Sequence, residues 1–280
     1  MIPVTVVIPV KNEEDNLPDC LKSLNQINEV VVVDSGSTDS TRKIATKYGA
    51  TLVNFKWDGK FPKKRNWILR NYNIETEWVL FVDADERLTE NFISELNKKL
   101  KENKYNGFWL TYHDYFQGKL LKYGVPMKKL ALFKIGSGEY EKIDEEHWSE
   151  LDMEIHEHPI VSGNVGLIES PIIHQDDTNL HRYIARHNDY STWEAKRYIS
   201  LLKNDKETWD KLTSRQYKKY KNIEKWWWAP MYFLYSYFIK RGFLDGQQGL
   251  TFAIMKSTYF YNIRCKIKEI KRKNKIKSSN

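Results

Sequence analysis

Cysteine is almost missing from this 280-residue chain: Cys20 and Cys265 are the only two, far apart in sequence. That excludes a disulfide-stapled scaffold and predicts a reducing compartment. Neither cysteine has a CxxC partner, and no HExxH occurs, so zinc spacing is absent too. The opening Met1-Ile2-Pro3-Val4 lacks a basic segment followed by an apolar core, so no secretory signal is expected. No apolar run reaches the about 20 residues that a bilayer-spanning helix needs. No GxGxxG follows the first apolar run at residues 4–8, which disfavours a dinucleotide dehydrogenase. Glycine-rich, arginine-bearing phosphate loops are missing there as well. Pro9-Val10-Lys11-Asn12-Glu13-Glu14 stands in that place, which counts against a sugar-nucleotide nucleotidyltransferase.

What is present is an ordinary globular chain, 41% hydrophobic, with ten Trp and seventeen Tyr. Such aromatics serve a core, but they also suit stacking on sugars or sitting at a lipid interface. The net charge of +8 is uneven: residues 264–280 hold eight basic residues against the single acid Glu269, a net +7 that leaves +1 elsewhere. The near-neutral body gives no sign of a nucleic-acid interface, and the basic tail reads as a contact for an anionic surface.

The first hundred residues alternate strand and helix. Residues 4–8, 30–33, 51–55 and 78–82 are β-branched or apolar runs typical of strands buried on both faces. Leu17, Cys20, Leu21 and Leu24, then Thr41, Ile44, Ala45 and Tyr48, recur at helical spacing, and helices are also predicted over 64–72 and 89–100. This order calls for a mainly parallel sheet, in which ligands bind beyond the carboxyl ends of the strands. From Gly107 a hairpin turning at Gln117-Gly118 and strands at 130–134 and 167–173 are expected, around an irregular acidic stretch over 136–157. Beyond about Thr178 the chain reads as helical and aromatic.

Acids fall where the parallel strands should end. Asp34 closes the second run and leads into Ser35-Gly36-Ser37-Thr38-Asp39, and Asp83-Ala84-Asp85-Glu86 closes the fourth. Carboxylates at i and i+2 on extended backbone point the same way and can grip one hard divalent cation. The plain alternative is a solvated strand end or a helix cap, and for Asp39 capping is as good a reading.

Val6-Val7-Ile8-Pro9-Val10-Lys11-Asn12-Glu13-Glu14, Val31-Val32-Val33-Asp34-Ser35-Gly36-Ser37-Thr38-Asp39-Ser40-Thr41 and Phe81-Val82-Asp83-Ala84-Asp85-Glu86 resemble, in order and separation, glycosyltransferase family 2. The resemblance is sharp over 1–100 and extends to about 175 in the manner of bacterial lipopolysaccharide-core glucosyltransferases. It implies an α/β fold of the GT-A type, a Rossmann-like, mainly parallel mixed sheet flanked by helices, with a helical C-terminal extension. Residues 1–175 would be the catalytic domain, 1–100 its nucleotide-sugar half and 101–175 its acceptor half. Residues 176–263 would form the aromatic-rich helical extension and 264–280 the basic tail.

The implied roles follow. Pro9, Val10, Asn12, Glu13, Asp34, Ser35 and Gly36 would line the nucleoside pocket, with Asp34 accepting a hydrogen bond from the base. Arg65 and Asn66 would lie near ribose and diphosphate, with Lys63 and Lys64 equally readable as a solvated basic face. Asp83 and Ala84 would border the donor, Asp83 on ribose or metal-bound water. Asp85, with Asp83 and the late His174, would hold Mn2+ or Mg2+. The base that deprotonates the acceptor hydroxyl in an inverting transfer would be Glu157, with Glu154 and Asp152 as alternatives. The expected partners are a UDP-sugar or similar donor, a glycan or glycolipid acceptor and an anionic membrane surface, with no nucleic acid. The expected location is cytoplasmic, on the inner face of the cell membrane. A non-catalytic membrane or scaffold protein that kept a nucleotide pocket is the rival from another class. The stretch Trp226-Trp227-Trp228-Ala229-Pro230-Met231-Tyr232-Phe233-Leu234-Tyr235-Ser236-Tyr237-Phe238-Ile239 is too short to span a bilayer. It reads either as an interfacial element or as a buried helix.

Overall fold

A computed structural model describes residues 1–143, 157–175, 179–203, 206–210 and 212–278. The chain forms two compact units, the first made of 1–115 and 126–176, the second of 116–125 and 177–280.

In the first unit the elements run β1 (Ile2–Val10), α1 (Leu17–Lys22), β2 (Ile27–Asp34), α2 (Thr41–Lys47), β3 (Thr51–Asn54), α3 (Lys64–Asn71), β4 (Trp78–Phe81), β5 (Glu86–Arg87), α4 (Glu90–Lys101) and β6 (Gly107–Phe116). After β7 (Lys119–Leu120), in the segment that belongs to the second unit, come β8 (Met127–Lys134), β9 (Gly138–Tyr140), β10 (Pro159–Val161) and β11 (Val165–His174). The turn before β7 is made by Gln117 and Gly118, both at positive φ, as a tight hairpin requires. β9 and β10 pair with each other, so the stretch expected to be irregular carries a strand at its start.

The main sheet runs β3-β2-β1-β4-β8-β6-β11-β5. β1, β2, β3 and β4 are mutually parallel, β8 is antiparallel to both β4 and β6, and β11 is parallel to β6. The mixed, parallel-centred architecture is therefore the one expected of the GT-A type. Its driving force is legible in the strands: Val4, Val6, Ile8, Val32, Leu80 and Leu132 are wholly buried. Each such side chain contributes roughly 1.5–3 kcal/mol of apolar burial. β2 and β3 lie on one side of β1, and β4 lies on the other. The order reverses at β1, which opens a crevice beyond the carboxyl ends of β1, β2 and β4.

The second unit contains α5 (Leu180–Lys203), α6 (Lys206–Asp210), α7 (Ser214–Asn222), α8 (Trp228–Leu234), a π-helical turn (Tyr235–Ile239), a 3-10 turn (Gly242–Asp245) and α9 (Gly246–Ser278). α5 and α8 both pack on α9. The carboxylate of Asp245 is buried and accepts the backbone N–H groups of Lys122 and Tyr123. Gly242 and Gly249 bring the 3-10 turn against α9: a Cβ on Gly249 would stand 2.1 Å from the Gly242 carbonyl oxygen. Backbone cannot retreat cheaply, so Gly249→Ala is expected to cost about 1–3 kcal/mol, read as a lower melting temperature of the full chain. An unchanged melting temperature would remove this contact as a packing point.

The basic tail is helical in the structure. Through Ser278 it is the last part of α9, with Ile263 and Ile267 in a buried cluster and Ile270 packed against it. Arg264 donates to the Glu224 carbonyl, Lys271 pairs with the Glu224 carboxylate at 2.7 Å, and Lys273 pairs with Glu269 at 2.6 Å. Lys266 donates to Asn188, Ser191 and Thr192. Arg264, Lys266 and Lys271 are thus tied to neighbouring groups of the helical unit, whereas Lys273 and Glu269 pair on the exposed surface of α9.

Candidate active site

The loops after β1 and β2 interlock. Asn12 adopts a left-handed φ of 57°, donates its N–H to Ser37 Oγ and accepts the Thr38 N–H on its side-chain oxygen, both at 2.8 Å. The Glu13 N–H donates to Thr41 Oγ1, and the Glu14 carboxylate accepts the Ser40 N–H. Asp39 accepts from Glu14 N–H and Thr41 N–H, so it fastens the start of α2. Gly36 has φ of 79°, which a side chain tolerates poorly.

Asp34, at the end of β2 opposite Val10, is buried and takes the Ser37 N–H and hydroxyl at 3.0 and 2.5 Å. Pro9 is buried beside it in the sheet. The Ser35 hydroxyl is buried without a hydrogen-bond partner. An orphaned hydroxyl costs on the order of 1–3 kcal/mol unless a ligand or water meets it.

α3 supplies cations from its first turn. Lys63 and Lys64 are not a solvated face: both are buried, Lys64 donating to the Val10 carbonyl and Lys63 to Glu157 Oε1 at 3.0 Å. Arg65 lies over the Tyr140 ring and donates to Asp83 Oδ1 at 2.6 Å. Asn66 is fully buried and serves backbone instead, its amide exchanging two hydrogen bonds with Tyr140 at 2.8 and 2.9 Å. Tyr140 is in β9, so Asn66 fixes that strand against α3.

After β4 the chain turns through Asp83, Ala84 and Asp85 into β5. Asp83 meets a second cation, Lys129 of β8, at 2.7 Å. Burial pushes the Asp83 carboxyl up, but Lys129 and Arg65 outweigh it and hold the group well below the usual carboxylate range. Glu86 is buried, accepts the Asp83 N–H and pairs with Lys129 at 2.5 Å. Burial nonetheless raises its carboxyl to about 7, against the opposing pull of Lys129.

Asp85 faces the other way chemically. Pairing of β11 with β5 sets His174 opposite Glu86, and Asp85 Oδ2 lies 3.3 Å from His174 Nε2. His174 Nδ1 is 2.9 Å from Asp114 of β6. Burial pulls the His174 imidazole down, but Asp85 and Asp114 overcome this and hold it well above its ordinary value.

The three expected metal ligands are therefore not brought together: Asp83 is engaged by two cations, while Asp85 and His174 form a pair. Among the described residues no group of three or more His, Cys, Asp or Glu side chains is arranged to hold a metal. The pair still fits a divalent cation on chemical grounds. It offers one oxygen and one imidazole nitrogen, with the second ring nitrogen anchored on a carboxylate as metal-binding histidines usually are. Asp152 and Glu154 lie outside the described residues. Lys129, Asp114 and Tyr140 are not among the residues the sequence singles out, and Glu86 stands there as part of the acidic run Asp83-Ala84-Asp85-Glu86 with no role of its own. For Lys129 strand alternation gives no signal, because β8 bulges between Leu130 and Leu132 and so sets Lys129 opposite Leu110, on the face of Leu132.

Cys20, buried beneath this turn, points its thiol to the Asp83 carbonyl at 3.8 Å, and burial pushes the thiol well up.

The sequence profile described as Glycosyl transferase family 2 matches residues 5–149. The lipopolysaccharide core biosynthesis glycosyltransferase LpsC of Rhizobium meliloti is 26% identical, covering 93% of this chain and 92% of that protein. The uncharacterised glycosyltransferase RC0292 of Rickettsia conorii is 27% identical over 98% of this chain and 94% of its own length. Among solved structures, glucosyl-3-phosphoglycerate synthase of Mycobacterium tuberculosis, crystallised with Mn2+ and UDP, is 24% identical with a TM-score of 0.32. That match covers 41% of this chain, which spans less than half (44%) of the solved one.

Proposed function

Because the chain belongs to glycosyltransferase family 2, we propose that it transfers a hexose from a nucleoside-diphosphate sugar to a hydroxyl of a lipid-linked or cell-surface glycan, with inversion at the anomeric carbon. UDP-glucose or a similar UDP-hexose is the proposed donor. The observation that carries this reading is the acid-and-cation cluster at the carboxyl ends of β1, β2 and β4, where the strand order reverses. The acceptor class is supported by full-length similarity to the lipopolysaccharide core enzyme. The proposed location is the cytoplasm, at the inner face of the membrane. Among the described residues no helix is long and apolar enough to cross one.

In this reading Pro9, Val10 and Asp34 border the nucleobase, and the Ser35 hydroxyl supplies a free polar group there. Asn12, Glu13 and Gly36 hold the two loops in shape. Arg65, oriented by Asp83 and Tyr140, approaches the ribose and diphosphate beside Asp83 and Ala84. Asp85 and His174 would hold Mg2+ or Mn2+, with Asp114 fixing the imidazole and Asp83 reaching ribose or metal-bound water. A divalent cation, when bound, neutralises charge on the departing nucleoside diphosphate. Glu157 takes the proton of the acceptor hydroxyl.

A thermal-shift screen of UDP-, GDP-, dTDP- and ADP-sugars tests the donor. A ligand that binds only the folded chain at a hundred times its Kd adds about 2.7 kcal/mol of stability. A UDP-hexose should raise the melting temperature, and Mn2+ should enlarge the rise. A shift with GDP-sugars alone would reassign the base, and no shift with any donor would sink the proposal.

A further inference from the structure

The segment around α8 has its polarity reversed. Ala229 and Ser236 are buried, Tyr232 packs on Phe260 of α9 with ring centroids 4.8 Å apart, and the Ala229 carbonyl accepts from Ser257. The face turned away from α9 should then be polar. Instead Met231 and Leu234 of α8 and Tyr235, Phe238 and Ile239 of the π-helical turn that continues it are all exposed, from 42% to 69%. Trp226 just before it is 71% exposed, and Phe243 and Leu244 just after it are also exposed. Scattered exposed apolar residues mean little, but a contiguous stripe of this kind marks a surface with a partner.

The charges around the stripe point to the partner's chemistry. Lys225, Lys240 and Arg241 are exposed at its two ends. From Lys225 to Lys268 the sequence contains a single acid, Asp245, and that carboxylate is buried on the Lys122 and Tyr123 backbone. The segment therefore offers no exposed carboxylate. A second copy of the same face would bring like charges together, whereas anionic headgroups above an apolar layer match both features. The aromatic residues suit the headgroup zone, and the helix is too short to cross.

We propose that this stripe inserts into one leaflet of an anionic bilayer, with Lys225, Lys240 and Arg241 at the headgroups, and that it, more than the basic end of α9, seats the enzyme. The proposal deepens the reading of a lipid-linked acceptor, but its test does not depend on turnover.

The full chain is mixed with phosphatidylcholine vesicles, with and without phosphatidylglycerol, and sedimented. Binding is expected only to the anionic vesicles and should weaken with salt. Phe238→Ser with Ile239→Ser should lose at least about tenfold in binding, since two apolar side chains leave the interface. Lys225→Ala and Lys240→Ala should each lose about fivefold and flatten the salt dependence. Substituting the exposed Lys268 and Arg272 of α9 should cost less than the serine pair. Donor hydrolysis should be unchanged throughout, and the melting temperature should fall little, because Phe238 is half exposed beside Phe233 and Tyr237 and the other altered side chains are exposed. The proposal is overturned if wild type ignores anionic vesicles at low salt, or if the serine pair binds as well as wild type. It is overturned too if light scattering shows that the serine pair only breaks a dimer. Lost donor turnover in wild type, with vesicle binding that still follows the stripe, would instead defeat the catalytic reading and leave this surface standing.

Discussion

Asp85→Ala is expected to remove metal-stimulated turnover of the nucleotide sugar while leaving the fold intact. Asp85 is one of two side chains that fit a divalent cation, and its partner His174 stays tied to Asp114 when the carboxylate is cut away. Loss of the cation's charge neutralisation is worth several kcal/mol at the transition state, a fall of about 10²–10⁴-fold in rate. The stability cost is small by comparison, because Asp85 is partly exposed and its backbone carbonyl keeps the Gln175 N–H at 2.7 Å. The measurement is release of nucleoside diphosphate with graded Mn2+, in wild type and variant, with melting temperature as the control. Full activity in Asp85→Ala, or in wild type with chelator, would overturn the metal role. His174→Ala should reproduce the loss, and Asp114→Asn should weaken metal affinity more than it lowers the rate at saturating Mn2+, because it acts only through the imidazole.

How much of this was visible in the sequence depends on range. Strands buried on both faces read as continuous β-branched runs, so β1, β2 and β4 were legible, and with them the crevice and the acids at its rim. Tertiary pairing was not. Lys63-Lys64-Arg65 has the composition of a solvated helix face, yet Lys63 finds its carboxylate 94 residues away, and no local pattern encodes that partner. Asn66 is a second case of pairing that its local sequence does not encode. One position along the helix, its amide meets the backbone of β9. The tail's helical docking is legible for a different reason. Its net charge dominates the composition, whereas Ile267 and Ile270, continuing from Ile263 at helical spacing, mark an apolar docking face.

Glu157→Gln is expected to preserve donor binding and slow donor hydrolysis little, while transfer to the acceptor falls about 10²–10⁴-fold, the usual worth of a positioned base. Its ion pair with Lys63 complicates the reading, and also supplies the control. Both side chains are buried, so the single variant removes one carboxylate from the buried Lys63 ammonium and lowers stability as well as altering the chemistry. A fall in transfer from Glu157→Gln alone would therefore not separate chemistry from folding. Lys63→Met combined with Glu157→Gln removes both charges and should restore much of the melting temperature. If Glu157 is the base, the double variant stays as inactive in transfer as the single one while still binding donor. If the carboxylate only holds α3 in place, transfer recovers with stability. In that case the proton must go to Asp152 or Glu154, and Asp152→Asn or Glu154→Gln should then show the loss assigned here to Glu157. Product stereochemistry closes the question of mechanism, since a retained anomeric configuration would defeat direct displacement whichever carboxylate serves.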